Sequence, residues 1–257
     1  MPQNGTTIQF LGQATFLITS PEGYRVLVDP WLKENPACPA DLKDVGHVDL
    51  ILVTHGHHDH IDDCLPVAKK TGAAVAGTLE MCSWLNKHGV ENTIRMNKGG
   101  TAASGPVKIT MVHADHTGGI MEGPEVTYTG AAVGFIIHTS DDARIWAMGD
   151  TAIFGDMALI SEIYQPQTIL MPIGDLVVMS PREAAHAVRL TNPRVVVPMH
   201  YGIYPPGSTG TPEAFRKECE SLVDVEIAEM QPGDTIEAPT GEILSYRLQP
   251  LPGRVAR

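Results

Sequence analysis

Cysteine is scarce in this chain, and what there is lies scattered. Cys38, Cys64, Cys82 and Cys219 form no CxxC pair. That excludes a zinc knuckle and a disulfide framework, and fits reduced thiols in the cytoplasm. Basic charge is also short. The 18 Lys and Arg stand against 30 Asp and Glu, for a formal net charge of −12 spread along the chain. A nucleic-acid binder needs a basic face to meet phosphates, so nucleic acid is not an expected partner. A small anionic substrate, held by a metal or a few cations, stays open. No apolar run approaches the roughly 18 residues of a membrane span. The opening MPQNGTTIQF has neither a basic n-region nor an apolar h-region, so no signal peptide is expected. Low-complexity linkers, repeats and a Ser-His-Asp pattern are missing too. The expected setting is therefore cytoplasmic, away from membranes.

What the chain has is enough apolar material for a sizeable core, 43% of 257 residues. The first third reads as strands and turns: TTIQFLG, ATFLITS and YRVLVDP, with Pro21, Glu22 and Gly23 turning between the last two. HVDLILVTH is an apolar strand that stops at histidines. DDCLPVAKKTG follows as a helix capped by Asp62 or Asp63 and ended by Gly72. AAVAG is a short strand, and TLEMCSWLNKHG a helix closed by Gly89. The strands PVKITMVHA, AAVGFIIHT and ARIWAMGD occupy the middle. The last third alternates: a helix near 155–164, strand TILMPI, helix SPREAAHAVRLT, strand RVVVPMH, helix TPEAFRKECESL and strand DVEIAE. Ser180 is placed to cap its helix, with Pro181 first inside and Glu183 three residues on. Meanders followed by alternation predict an α/β fold of two mixed sheets packed together with helices outside, in one domain over 1–257. The tail LPGRVAR is expected to be loose.

The unusual residues fall at strand ends. The stretch THGHHDH, residues 54–60, carries His55, His57, His58, His60 and Asp59. VKITMVHAD leads to His116, ARIWAMG to Asp150, and RVVVPM to His200. Ligands in α/β folds gather beyond the carboxyl ends of strands, so four such ends can supply one cavity. In extended backbone, residues two apart point the same way, so His55 and His57 can grip one ion. Asp59 and His60 turn toward a second ion if the loop tightens into a helix start. Asp150 is the natural bridging carboxylate. Imidazole and carboxylate suit zinc, manganese or iron. His116 is preferred over His113 because HTGG places it in the loop.

THGHHDH, DHTGG, MGDT and VPMHYG resemble, in order and spacing, the ligand motifs of the metallo-β-lactamase superfamily. FLGQATFLI, VDPWLKENP, MSPREAAHAV and VPMHYG look like its small metal-dependent hydrolases related to ascorbate-6-phosphate lactonase. The resemblance runs to about Tyr204. It implies a four-layer αββα sandwich with metals at one edge. It also implies that His55, His57 and His116 hold one metal, that Asp59, His60 and His200 hold a second, and that Asp150 bridges them. No cysteine replaces a ligand and no acid replaces His57, unlike the antibiotic-hydrolysing and flavodiiron classes. No long insertion follows Asp150, unlike the RNA-processing nucleases. Homo-oligomeric assembly is a further implication left open.

Two divalent ions roughly 3.5–4 Å apart share a water and lower its pKa toward 7. The expected reaction is hydrolysis of a small ester or lactone, phosphorylated or not, by a metal-bridging hydroxide that Asp59 orients. A phosphodiesterase would use the same residues. A sensor or assembly subunit that binds metal without catalysis is the alternative from another class. Tyr201 either donates a hydrogen bond to the developing oxyanion or packs away from His200. Lys33, Lys98 and Arg182 are candidate holders of an anionic group. His58 is an exposed spectator or a substrate contact. Asp29 is a turn residue or the partner of a ligand histidine's free N–H. Asp175 is an outer or turn carboxylate. DLVVMSP either walls a pocket or is buried.

Overall fold

The computed structural model describes residues 5–202 and 204–241. An antiparallel meander opens the first sheet: β1 (Thr7–Gly12), β2 (Thr15–Thr19) and β3 (Arg25–Val28). The sheet continues in parallel through β4 (Leu50–Leu52), β5 (Ala74–Thr78) and β6 (Thr93–Met96). The connections are α1 (His58–Ile61), α2 (Cys64–Thr71) and α3 (Leu79–Lys87). The second sheet repeats this plan. β7 (Thr101–Ser104), β8 (Val107–His113), β11 (Val133–His138) and β12 (Arg144–Ala147) are antiparallel. β13 (Thr168–Pro172), β14 (Val195–Met199) and β15 (Glu226–Ile227) then add in parallel, linked by α4 (Met157–Tyr164), α5 (Pro181–Thr191) and α6 (Pro212–Glu218). β16 (Thr235–Glu237) returns to pair with β1, and β9 (Ile120–Glu122) with β10 (Glu125–Thr127) forms a separate hairpin.

Side-chain alternation fixes the layers. Ile8 and Phe10 of β1, Phe16 and Ile18 of β2, and Leu50 and Leu52 of β4 point into the space between the sheets. Leu170 of β13 and Val195, Val197 and Met199 of β14 meet them from the other side. The intervening Leu11, Leu17 and Ile51 face Cys64, Ala68, Met81 and Leu85 of α2 and α3. Ile169, Met171 and Val196 face Met157, Ala184, Val188 and Phe215 of α4 to α6. Both faces of each sheet are covered, so the central strands are apolar throughout. A one-residue slip would exchange the two faces of a strand. The result is the expected four-layer αββα sandwich of two mixed sheets.

Ser180 and Glu183 form a full capping box with Pro181 in the first turn. Gly72 ends α2 with φ 74°. Asp63 stands at the N-cap of α2 but makes no side-chain cap; its carboxylate accepts the Leu32 and Lys33 N–H groups instead. β6, β7 and the β9–β10 hairpin were not expected, and β15 is shorter than DVEIAE suggests. LPGRVAR lies outside the described residues. No helix among the described residues is long and apolar enough to cross a membrane.

Candidate metal centre

The carboxyl ends of β4, β8, β12 and β14 converge at one edge of the sandwich. After β4 the chain stays extended through His57 (φ −70°, ψ 146°) and then coils into α1. That change of backbone separates His55 and His57 from Asp59 and His60. Two groups of ligand atoms result: His55, His57, His116 and Asp150 in one, and Asp59, His60 and His200 in the other. Within each group the atoms lie within 4.8 Å of one another. Two glycines make room. Gly149 has φ +65°, and a Cβ there would come within 2.8 Å of the Thr54 side chain. A Cβ on Gly174 would fall 1.9 Å from the His200 carbonyl. His200 itself takes φ 56°, a left-handed conformation uncommon outside glycine.

Asp150 lies between the groups. Its Oδ2 stands 3.0 Å from His200 Nε2, 3.6 Å from His116 Nε2 and 3.9 Å from His55 Nε2, and its Oδ1 is 3.3 Å from His60 Nε2. Asp59 Oδ2 is 3.2 Å from His200 Nε2 and 3.7 Å from His60 Nε2. His55 Nε2 and His57 Nδ1 are 3.0 Å apart. Ligands about 2.0–2.1 Å from a tetrahedral ion are separated by about 3.3 Å. Among the described residues, His60 Nε2, Asp150 Oδ1 and both ring nitrogens of His200 are buried without a hydrogen-bond partner. Orphaning such an atom costs about 1–3 kcal/mol, so these atoms fit cations that would engage them. An all-imidazole and carboxylate donor set suits zinc, manganese or iron.

The two groups differ electrostatically. Burial pushes His55 well below the usual imidazole range, with His60 adding to it. Burial lowers His57 and His116 as well, so all three favour the neutral, ligating form. Burial also opposes charge on His60, but the carboxylates of Asp150, Asp59 and Asp29 overcome it and raise His60 well above its ordinary value. His200 is likewise held up to about 9 against its burial, chiefly by Asp150. Burial works against the carboxylates too. His200 and His60 outweigh it at Asp150, and His60 and His200 at Asp59, holding both below the usual range.

Around the ligands runs a set of supporting bonds. Asp29, buried at φ 46°, accepts the Thr54 N–H at 2.8 Å and the Thr54 hydroxyl at 2.7 Å. Its Oδ2 lies 2.8 Å from His60 Nδ1, the partner role expected for Asp29. The Thr54 hydroxyl stands 3.0 Å from His55 Nδ1. Gln13 donates from Nε2 to Asp59 Oδ2 at 3.2 Å and to the Tyr204 carbonyl at 3.1 Å. Its own carbonyl accepts the His200 N–H at 2.9 Å. Thr54 and Gln13 were missed in the sequence, although Gln13 sits inside FLGQATFLI.

A half-open cavity of about 280 Å³ faces both groups, reached by His57, Asp59, His116, Asp150 and His200. Thr117, Met121, Val177, Pro205, His58 and Tyr204 complete much of its wall. Of the two roles expected of Tyr201 the packed one is found, and the catalytic one is corrected: it packs against the outer cluster of the second sheet and lines a neighbouring cavity. Tyr204 takes the place by the ligands. His58 is exposed and stands edge-on to Tyr204 and Trp31, with ring centres 5.0 and 5.8 Å apart. None of the three expected cations lines the cavity. Lys33 belongs to a separate hollow with Lys43 and Lys70, Lys98 Nζ sits 2.7 Å from His113 Nδ1, and Arg182 is exposed on α5. His113 lies outside both ligand groups. Asp175 is half-buried and accepts the Thr209 hydroxyl at 2.7 Å, so it is a turn residue. DLVVMSP does both things expected of it: Val177 lines the cavity, while Val178 and Met179 are buried.

Residues 24–201 match the Beta-lactamase superfamily domain. A "UPF0173 metal-dependent hydrolase" of Rubrobacter xylanophilus is 48% identical over 234 residues, covering 90% of this chain and 96% of that protein. A relative of the same description in Methanopyrus kandleri is 41% identical over 231 residues, covering 90% and 99%. The solved structure of Igni18, a metallo hydrolase from the archaeon Ignicoccus hospitalis, superposes with a TM-score of 0.81 at 31% identity, covering 92% of this chain and 99% of that one. With its ligand residues gathered at the edge of an αββα sandwich, the chain belongs to the metallo-β-lactamase superfamily, among its metal-dependent hydrolases.

Proposed function

We propose that this hydrolase cleaves a small, uncharged ester or lactone, using two divalent ions, zinc or manganese. His55, His57 and His116 hold one ion, Asp59, His60 and His200 hold the other, and Asp150 is shared. The observation that carries the substrate reading is the wall of the cavity. Apart from the ligand groups it presents His58, Thr117, Gly119, Met121, Val177, Tyr204 and Pro205, and its described lining includes no lysine or arginine. A phosphorylated substrate would bring a dianion to a wall whose described lining offers it no lysine or arginine. A neutral carbonyl compound meets no such mismatch.

Bound metal supplies a lowered water pKa and Lewis acidity toward the carbonyl oxygen. The rest falls to the chain. Asp59 is kept ionised by its histidine neighbours and is steadied by Gln13, so its carboxylate is placed to accept a hydrogen bond from the attacking water and orient it. Tyr204 stands in the same cavity. Burial, together with Asp59 and Asp62, raises its phenol above the ordinary value, so it keeps its proton and serves as a donor to the developing oxyanion. The test is a substrate panel on metal-supplemented protein: neutral lactones and aryl esters against bis-aryl phosphodiesters and phosphorylated lactones. Preference for the neutral carbonyl compounds supports the reading. Faster turnover of the phosphodiesters assigns the site to a phosphodiesterase, and no turnover with two ions bound assigns it to a metal-binding subunit.

A further inference from the structure

Most of the large apolar side chains left exposed among the described residues stand on two segments that reach the metal cavity. Met121, Val126 and Tyr128 lie on or beside the β9–β10 hairpin, and Leu176 and Val177 lie on the turn after β13. Exposed apolar residues scattered singly need no explanation, but a group of them beside a cavity marks a binding surface.

The hairpin shows how its pair comes to face outward. β9 and β10 pair only with each other, and a lone two-stranded hairpin needs packing to hold it. One face supplies that packing. Ile120 is buried in the cluster beneath α2 and α3, and Glu122 accepts the Trp84 indole N–H of α3 at 3.1 Å. Successive side chains of a strand point to opposite faces, so Met121 is turned the other way. Val126 is its direct cross-strand partner and shares that outer face. Met121 is 65% exposed and lines the cavity that holds the ligand groups.

The turn after β13 presents its apolar residue by a different route. Asp175 and Leu176 both have left-handed φ, 65° and 60°. For a bulky side chain this is an outlier, and it lasts only where neighbours enforce it. Here the Asp175 carboxylate accepts the Thr209 hydroxyl at 2.7 Å, the Asp175 N–H reaches the Met179 carbonyl at 3.1 Å, and the Val177 N–H returns to the Asp175 carbonyl at 2.6 Å. Val178 and Met179 then run into the core, while Val177 stays 41% exposed and lines the cavity.

We propose that Met121 and Val177 determine specificity by receiving an unbranched aliphatic chain of the substrate, which runs from the ligand groups along the cavity wall, with Val126 extending the contact where the chain leaves. The proposal rests on the reading of the site as a hydrolase of neutral carbonyl compounds and adds what those compounds carry. Continuity favours a substrate chain over a partner protein, since Met121 and Val177 line the same space of about 280 Å³ as His57, Asp59 and Asp150.

The probes are unbranched hydroxamic acids from acetyl to octanoyl, which offer a metal the same head group while only the chain varies. Binding to the zinc-loaded full chain is followed by calorimetry. Affinity should rise about threefold for each methylene that reaches the lining, for a gain of about tenfold or more at octanoyl. The double variant Met121→Ser, Val177→Ser should flatten the series while leaving acetohydroxamate binding unchanged. Ile163→Ser, an equally exposed apolar residue on α4, should keep the full slope. A flat series in the unaltered chain overturns the proposal, as does an undiminished slope in the double variant. A changed oligomeric state in the double variant with its slope retained assigns the face to a second copy of the chain and also overturns it. Turnover of 4-nitrophenyl acetate, which has almost no chain, reads the ester assignment separately. Acetate turnover with a flat series overturns this inference alone. A steep series that the double variant flattens, without turnover of any ester, supports the chain site and overturns the ester reading.

Discussion

The two candidate ligand groups meet at Asp150 yet are built on opposite terms. His55, His57 and His116 are neutral imidazoles at strand ends, with His57 and His116 only partly buried and facing the cavity. Asp59, His60 and His200 are all buried, the carboxylates around the two histidines raise them despite that burial, and Asp29 and Gln13 brace the group from behind. The first group is ready to ligate. The second must give up protons before it can, because a metal competes with H⁺ for imidazole nitrogen. The difference teaches that adjacent sites made of the same residue types need not load alike. What surrounds each histidine decides whether a metal finds it deprotonated.

Breaking the shared element should have the largest effect. Asp150→Ala removes the carboxylate proposed to serve both groups, so both proposed ions should be lost in elemental analysis. Hydrolysis should fall about a thousandfold or more, the scale of removing a principal charge-stabilising group. Retention of both ions would show that the groups do not depend on Asp150.

His200→Ala should separate the groups. The variant is expected to keep one ion per chain, held by His55, His57, His116 and Asp150, a complete four-ligand set. It should lose the ion of the deep group and most of its activity. Metal content at matched supply and pH decides this. Two ions with normal turnover would remove His200 from the site.

Asp29→Ala sharpens the contrast without touching a proposed ligand. It frees His60 Nδ1 and leaves the Thr54 N–H without its acceptor. Loss of such an outer partner typically weakens metal binding 10–100-fold. Competition with a chelator should find the deep group weakened by that factor and the shallow group less affected, since Asp29 reaches His55 only through Thr54. Equal weakening of both would erase the distinction.

The smallest effect is expected from His113→Ala. His113 stands against Lys98 and Phe154, outside both groups. Metal content should be unchanged, and a variant stripped of metal would mean that the wrong histidine of HADH had been placed in the site.

The strand-end His and Asp residues that meet at one edge were legible because apolar runs stop abruptly at them, and burial on both faces makes those stops visible in the letters. Asp29 was readable for the same reason. Gln13 was not, since a lone glutamine in a turn reads as surface, and only the fold brings it 46 residues forward to Asp59. Tyr201 was legible only as two alternatives: nothing in VPMHYG decides between a place at the cavity and a packed one, and it is Tyr204 that lines the cavity while Tyr201 packs against the outer cluster. The β9–β10 hairpin escaped notice because Met121 and Val126 are 65% exposed and Ile120 alone of its two short strands is buried, so no alternation shows.

The central claim, two unequal metal sites, is tested most directly by calorimetric zinc titration of chelator-stripped protein at pH 6.5 and 8.5, with proton release read from buffers of different ionisation enthalpy. The sign follows from the raised histidines. With His200 held up to about 9 and His60 also raised, both carry protons at pH 6.5 in the metal-free chain. Zinc must then displace them, so deep-site affinity should fall as pH is lowered. The lowered His55, His57 and His116 have little to release. The account predicts two binding events per chain, the tighter one nearly unchanged between the two pH values and the weaker one markedly weaker at pH 6.5 with protons released. A single event, or two events with the same pH dependence and the same proton release, would contradict it.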